Sequence, residues 1–165
     1  MAVAPPIAVS RPRRVTGVLL LIGRIALGVI LIYAAYTKLH FNGAWHLGDY
    51  NFIFAFGIDS YQMLPSWAVQ WLALVLPWLE LALGLLLIAG IALRWVASIT
   101  TALLVVFMIA LARAAILGLA INCGCFGQNS TNPATELIVD SVLLLVSLAV
   151  TVGAFASHRA RRLLA

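Results

Sequence analysis

Charge is scarce in this sequence. Only 9% of the 165 residues are charged, five of them acidic, while 64% are hydrophobic and the mean hydropathy is +1.10. A soluble domain covers its core with a wet surface, and about a quarter of its residues carry charge. This composition cannot provide that surface, so it excludes a soluble globular protein and points to an integral membrane protein. Cysteine is scarcer still: Cys123 and Cys125 are the only two. A cysteine-ligated iron–sulfur cluster or a c-type haem fits poorly, since neither the cysteine count nor a CxxCH sequence is present. The apolar–polar alternation of barrel strands is missing, as are internal repeats and low-complexity stretches. Helices are then the spanning form, because lipid leaves no other way to satisfy the backbone. The net charge of +5 is not a nucleic-acid footprint. The basic residues sit at the ends of apolar runs, where they orient a chain in a bilayer. The start, MAVAPPIAVSRPRR, leads into an apolar run long enough to span and has no small-residue cleavage site after it. This predicts a retained anchor and not a removable signal.

Four runs meet the length of about 20 helical residues that a hydrocarbon core of about 30 Å requires. They cover about 15–39, 68–93, 95–121 and 136–156, predicting an all-α, four-transmembrane-helix bundle over 15–157 with basic tails at 1–14 and 158–165. Arg11, Arg13 and Arg14 precede the first run, Arg94 lies between the second and third, and Arg159, Arg161 and Arg162 follow the fourth. The other two connections carry little positive charge beyond Lys38. Both termini are therefore expected in the cytoplasm, in a multi-pass protein of a bacterial inner membrane. The loop from His40 to Trp67 and the one bearing INCGCFG (121–127) are expected to face the periplasm. Aromatic residues crowd the first of these, and Asp49 to Gly57 is too short to span, which predicts a short interfacial helix or cap.

Arg24, Glu80, Arg113 and Asp140 fall within the apolar runs, where ionisable residues are costly and usually pair inside a bundle. Counted down from the periplasmic helix ends at 1.5 Å per residue, Arg24 and Glu80 both lie at about 20 Å, and Arg113 and Asp140 at about 8–12 Å. The matching depths predict an Arg24–Glu80 and an Arg113–Asp140 contact. Arg24, Gly28, Leu31, Ala35 and Lys38 share one helix face, and Ala73, Pro77, Glu80 and Gly84 another. Small residues on both allow close approach, and Pro77 predicts a kink one turn before Glu80. Fixing helix register is the simpler role for such pairs; a proton relay is the alternative. Lys38 reads as a snorkelling anchor at the interface, and His40 and His46 as loop residues.

Cys123 and Cys125 enclose a single glycine. A structural zinc site needs four N or S ligands, a count the two cysteines would reach with two histidines from another loop, but this spacing is tighter than the usual zinc clamp, so no metal is assigned. A disulfide across so short a loop adds little stability by restricting the unfolded chain. Gly124 eases the backbone demand, and residual strain would make the bond readily reducible, the property of labile or catalytic disulfides. Two unpaired thiols at a tight turn, with Gly124 and Gly127 serving backbone geometry, is the competing reading. The residues alone leave both open.

Several segments resemble the MauE/DoxX-like membrane proteins, in the methylamine-utilisation MauE branch. They are RIALGVILIYAAYTKL (24–39), the loop ending Met63-Leu64-Pro65, LPWLELALGLLLIAG (76–90) and CGCFG (123–127). The resemblance implies a four-helix, periplasm-facing thiol–disulfide protein associated with maturation of the disulfide-rich small subunit of methylamine dehydrogenase, alongside a thioredoxin-like partner. The positions it would carry over are Cys123 and Cys125, then Arg24, Lys38, Pro77 and Glu80. On this reading the cysteine pair exchanges electrons with a thioredoxin-like protein or redox client, with Gly124, Phe126 and Gly127 shaping the turn. Lys38 would lend positive potential to the thiols if the first loop folds back. A membrane quinone would be an electron acceptor, although no motif for one is present. The alternative is a non-catalytic accessory subunit of a larger membrane oxidoreductase or electron-transfer complex, so whether the chain is an enzyme stays open.

Overall fold

The computed structural model describes residues 12–41, 44–45, 52–118 and 133–163. In chain order these form α1 (Pro12–Leu39), a two-residue strand β1 (His40–Phe41), its antiparallel partner β2 (Ala44–Trp45), a short helix α2 (Phe52–Asp59), and long helices α3 (Ser66–Ala89), α4 (Leu93–Ile116) and α5 (Pro133–Leu163). Four stretches, Gly17–Leu39, Ser66–Ala89, Leu93–Ile116 and Leu137–Arg159, are long and apolar enough to cross a membrane, with mean hydropathies of 2.3 to 2.5. Their surfaces agree. Large apolar side chains such as Leu19, Val29, Val106, Ile109, Leu145 and Val152 point outward, whereas Lys38, Glu80, Thr100, Asp140 and Ser147 are buried. In water such an exterior would be an aggregation surface; against lipid it is the favourable one.

Helix bounds depart from the apolar runs for local reasons. The second run continues to about residue 93, but α3 ends at Ala89 because Gly90 adopts φ +74° and donates its amide to the carbonyls of Leu86 and Leu87. This left-handed C-cap closes a helix whatever the hydropathy beyond it. Pro77 lies buried within α3, which remains helical on both sides of it. The missing donor there affects one carbonyl, and tertiary packing holds the rest.

Two seams organise the bundle. Along α1 and α3, Gly28 and Gly84 meet back to back: a Cβ on Gly84 would stand 2.7 Å from the Gly28 carbonyl oxygen, and one on Gly28 would stand 2.9 Å from that of Gly84. Absent side chains are what allow this approach, since helices in lipid gain by van der Waals contact and not by expelling water. Leu27, Leu31, Leu83 and Leu87 fill in beside the glycines, joined by Val96, Ala97 and Val150 from the other helices. Along α4 and α5 the seam is polar. The Thr101 hydroxyl lies 2.7 Å from that of Ser147 and 3.0 Å from that of Thr151, while bonding the Ala97 carbonyl at 2.9 Å. Gly153 completes the bundle against Leu20 of α1.

Between α1 and α3 the chain makes a small hairpin and then α2. Tyr36, His40 and Trp45 form an aromatic cluster, with Tyr36 and His40 stacked at 5.3 Å and Trp45 edge-on to His40 at 4.9 Å. Helix α2 packs on α3 through Ala55, Val69 and Ala73.

Candidate functional site

Lys38 lies in the last turn of α1, and sequence suggests a side chain reaching out to the interface. It turns inward instead. Its Nζ lies 2.5 and 2.6 Å from the two carboxylate oxygens of Glu80, and the side chains are only 3% and 2% exposed. The expected Arg24–Glu80 pair does not form, and the geometry explains why. Equal depths would require the helix ends to be level. The Gly28–Gly84 contact instead sets the register, placing Leu39 level with about Ala73, so α3 runs on past α1 by about 10 Å. Side chains on a helix lean toward its N-terminus. In this antiparallel pair Lys38 leans back along α1 while Glu80 leans toward the start of α3, so the two converge over a backbone offset of about 9 Å. Arg24 lies on the far side of Glu80 and leans away. Its guanidinium reaches the Ile88 carbonyl at 3.4 Å and rests against Gly90. There it meets the unsatisfied carbonyls at the C-terminus of α3, where a cation is favoured.

The hydrogen bond of Arg113 goes to the carbonyl of Tyr61, at 2.9 Å, and not to Asp140. It ties the last turn of α4 to the turn after α2, beside a small core of Leu111, Ala114, Tyr61 and Leu137. Asp140 is buried on α5. Cys123, Gly124, Cys125, Phe126 and Gly127 lie outside the described residues, in the segment between α4 and α5. Among the described residues, no group of three or more His, Cys, Asp or Glu side chains is placed to hold a metal ion.

Beside Lys38 the structure opens a cavity of about 450 Å³. Among the described residues, Lys38 is the one charged side chain that lines it. The rest are apolar or aromatic, including Phe54 and Tyr61 from the α2 region, Leu72 and Leu76 of α3, and Phe107 and Ala110 of α4. The Phe54 ring lies 5.1 Å from Nζ, in cation–π range. Sequence reasoning missed this cavity and the Thr101–Ser147–Thr151 cluster. The spacing of Ser147 and Thr151, one helical turn apart, was a usable signal for the cluster. No local signal marks a cavity built from four separate stretches of the chain.

Residues 16–153 match the protein family described as Methylamine utilisation protein MauE. The chain belongs to the MauE family. It is 32% identical over 131 residues to Methylamine utilization protein MauE of Paracoccus denitrificans, a stretch making up 79% of this chain and 66% of that protein. It is 35% identical over 83 residues to the protein of the same name from Methylorubrum extorquens, covering 50% of this chain and 45% of that one. The matched stretches thus span about half to two thirds of these curated relatives. No solved structure matches the chain. Family membership and four apolar helices together make it a multi-pass integral membrane protein.

Proposed function

We propose that this chain is a membrane accessory protein of methylamine utilisation. In this role Cys123 and Cys125 exchange electrons with a thioredoxin-like protein or a redox client. The observation that carries the reading is the match to MauE over residues 16–153, a span that includes the CGCFG stretch. Chemically, the thiolate of one cysteine attacks a sulfur of the partner's disulfide and releases one partner thiolate. The second cysteine then attacks the mixed disulfide, so the partner leaves as a dithiol and the pair is oxidised by two electrons. The reverse sequence oxidises a client. The pair faces the periplasm of a bacterial inner membrane in this reading, consistent with the basic residues at the opposite helix ends and with the compartments in which disulfides persist. Lys38, its charge met by Glu80, serves as an internal tie between α1 and α3.

The test is alkylation of Cys123 and Cys125 in intact membranes, with and without prior reduction, across a series of redox buffers. A reversible two-electron transition is expected. Thiols that stay reduced throughout, or a bond that resists every buffer, would remove the relay and leave a non-catalytic accessory subunit.

A further inference from the structure

We propose that the cavity beside Lys38 and Glu80 binds a neutral, lipophilic ring compound that carries a carbonyl acceptor, a molecule of the membrane quinone class. Three properties of the site select this chemistry. Location is the first. Lys38, Leu72, Leu76, Phe107 and Ala110 belong to membrane-spanning helices, and Leu72, Val106 and Ile109 at the cavity are also exposed on the bundle's lipid-facing surface. A ligand can thus enter sideways from the bilayer, a route open to lipophiles and closed to ions. Lining is the second: Phe54, Tyr61 and Phe107 offer aromatic rings to a flat ring, and a volume of about 450 Å³ lies within the roughly 300–1,000 Å³ range of small-molecule sites.

Charge is the third and the most selective. A lone buried lysine would favour an anion. Here Glu80 sits 2.5–2.6 Å from Nζ, so the pair is formally neutral and a second carboxylate would be repelled by the first. Lys38 lines the cavity and Glu80 does not, so the positive end of the pair is the one a ligand meets, which suits the partly negative oxygen of a neutral carbonyl. Fatty acids are disfavoured by this arrangement; quinones are not.

Any electron-transfer role for this ligand rests on the thiol reading above. There, two cysteine thiols lose two electrons and two protons as the S–S bond forms, and a quinone takes up both to leave as the hydroquinone. Binding itself does not depend on that step.

The experiment titrates decylubiquinone into the full chain in nanodiscs by calorimetry, with oleate and dioleoylglycerol as competitors. Two variants narrow the cavity from different sides, Ala110→Phe inside it and Val106→Trp at its lipid-facing mouth. A third, Lys38→Met with Glu80→Leu, removes both charges together. Saturable binding of one quinone per chain is expected. At least tenfold weakening is expected in whichever narrowing variant elutes as the folded protein and in the charge-free double variant, with no displacement by either competitor. Non-saturable partitioning, unchanged affinity in the variants, or displacement by oleate or dioleoylglycerol would overturn the proposal. Cysteine alkylation on the same preparation separates the two readings. A reversible cysteine couple without saturable quinone binding sinks this inference alone, and saturable binding beside inert cysteines sinks only the thiol relay.

Discussion

Replacing Lys38 by Met leaves the Glu80 carboxylate buried with its ammonium gone. Replacing Glu80 by Gln takes away the carboxylate that meets the ammonium at 2.5–2.6 Å. Each side chain of the pair is almost wholly removed from solvent, so water does not replace the lost interaction. Breaking one half of such a buried pair typically costs about 3–5 kcal/mol, whereas replacing both halves by apolar residues of similar volume is often neutral or stabilising. The non-additivity is the signature. Lys38→Met and Glu80→Gln should each lower the melting temperature by roughly 6–20 °C, taking about 2–4 °C per kcal/mol for a chain of this size. Lys38→Met combined with Glu80→Leu should return to within about 1 kcal/mol of the wild type. Thermal and denaturant unfolding of the detergent-solubilised protein, followed by circular dichroism, reads both. If the single variants unfold with the wild type, or the double variant loses the sum of the two single losses, Lys38 and Glu80 are not a coupled buried pair.

The other expectations concern the seams. Gly84→Val should cost about 1–3 kcal/mol, the usual range for overpacking, because its Cβ would stand 2.7 Å from the Gly28 carbonyl and 2.8 Å from Ile32 Cγ1; an unfolding midpoint equal to the wild type's would show that α1 and α3 do not approach there. Thr101→Val removes hydroxyl contacts to Ser147 and Thr151 and should cost about 1 kcal/mol, given about 0.6 kcal/mol per interhelical bond in membranes; Ser98→Ala, whose hydroxyl bonds only within its own helix at Arg94, should move the midpoint less. Gly90→Ala, at φ +74° and with Arg24 Nη1 2.8 Å from the new Cβ, should cost about 1–2 kcal/mol from the left-handed backbone alone, measurable in the same unfolding assay.

Apolar runs long enough to cross lipid announce helices by themselves, because the bilayer admits little else, and α1, α3, α4 and α5 overlap the four runs. The glycines on the facing stripes were equally legible: Gly28 and Gly84 sit where a close approach was expected, since small residues on one helix face have few other uses in lipid. The end of α3 was not read correctly, because Gly90 inside an apolar stretch carries no hydropathy signal and only its left-handed geometry stops the helix. The hairpin of His40–Phe41 with Ala44–Trp45 was unread too, being held by a cluster of aromatic rings and not by a strand-like pattern.

Composition and the spacing of apolar residues thus settle the solvent, the helix count and which faces must turn inward, since each follows from local free energies of transfer and backbone satisfaction. The partner of each buried charge does not follow from them. Glu80 bonds Lys38 and not Arg24 because the offset between α1 and α3, and the direction in which side chains lean along antiparallel helices, exist only once those helices have packed. The cavity beside that pair is likewise a product of assembly, enclosed by α1, α2, α3, α4 and the turn after α2, none of which contains it alone.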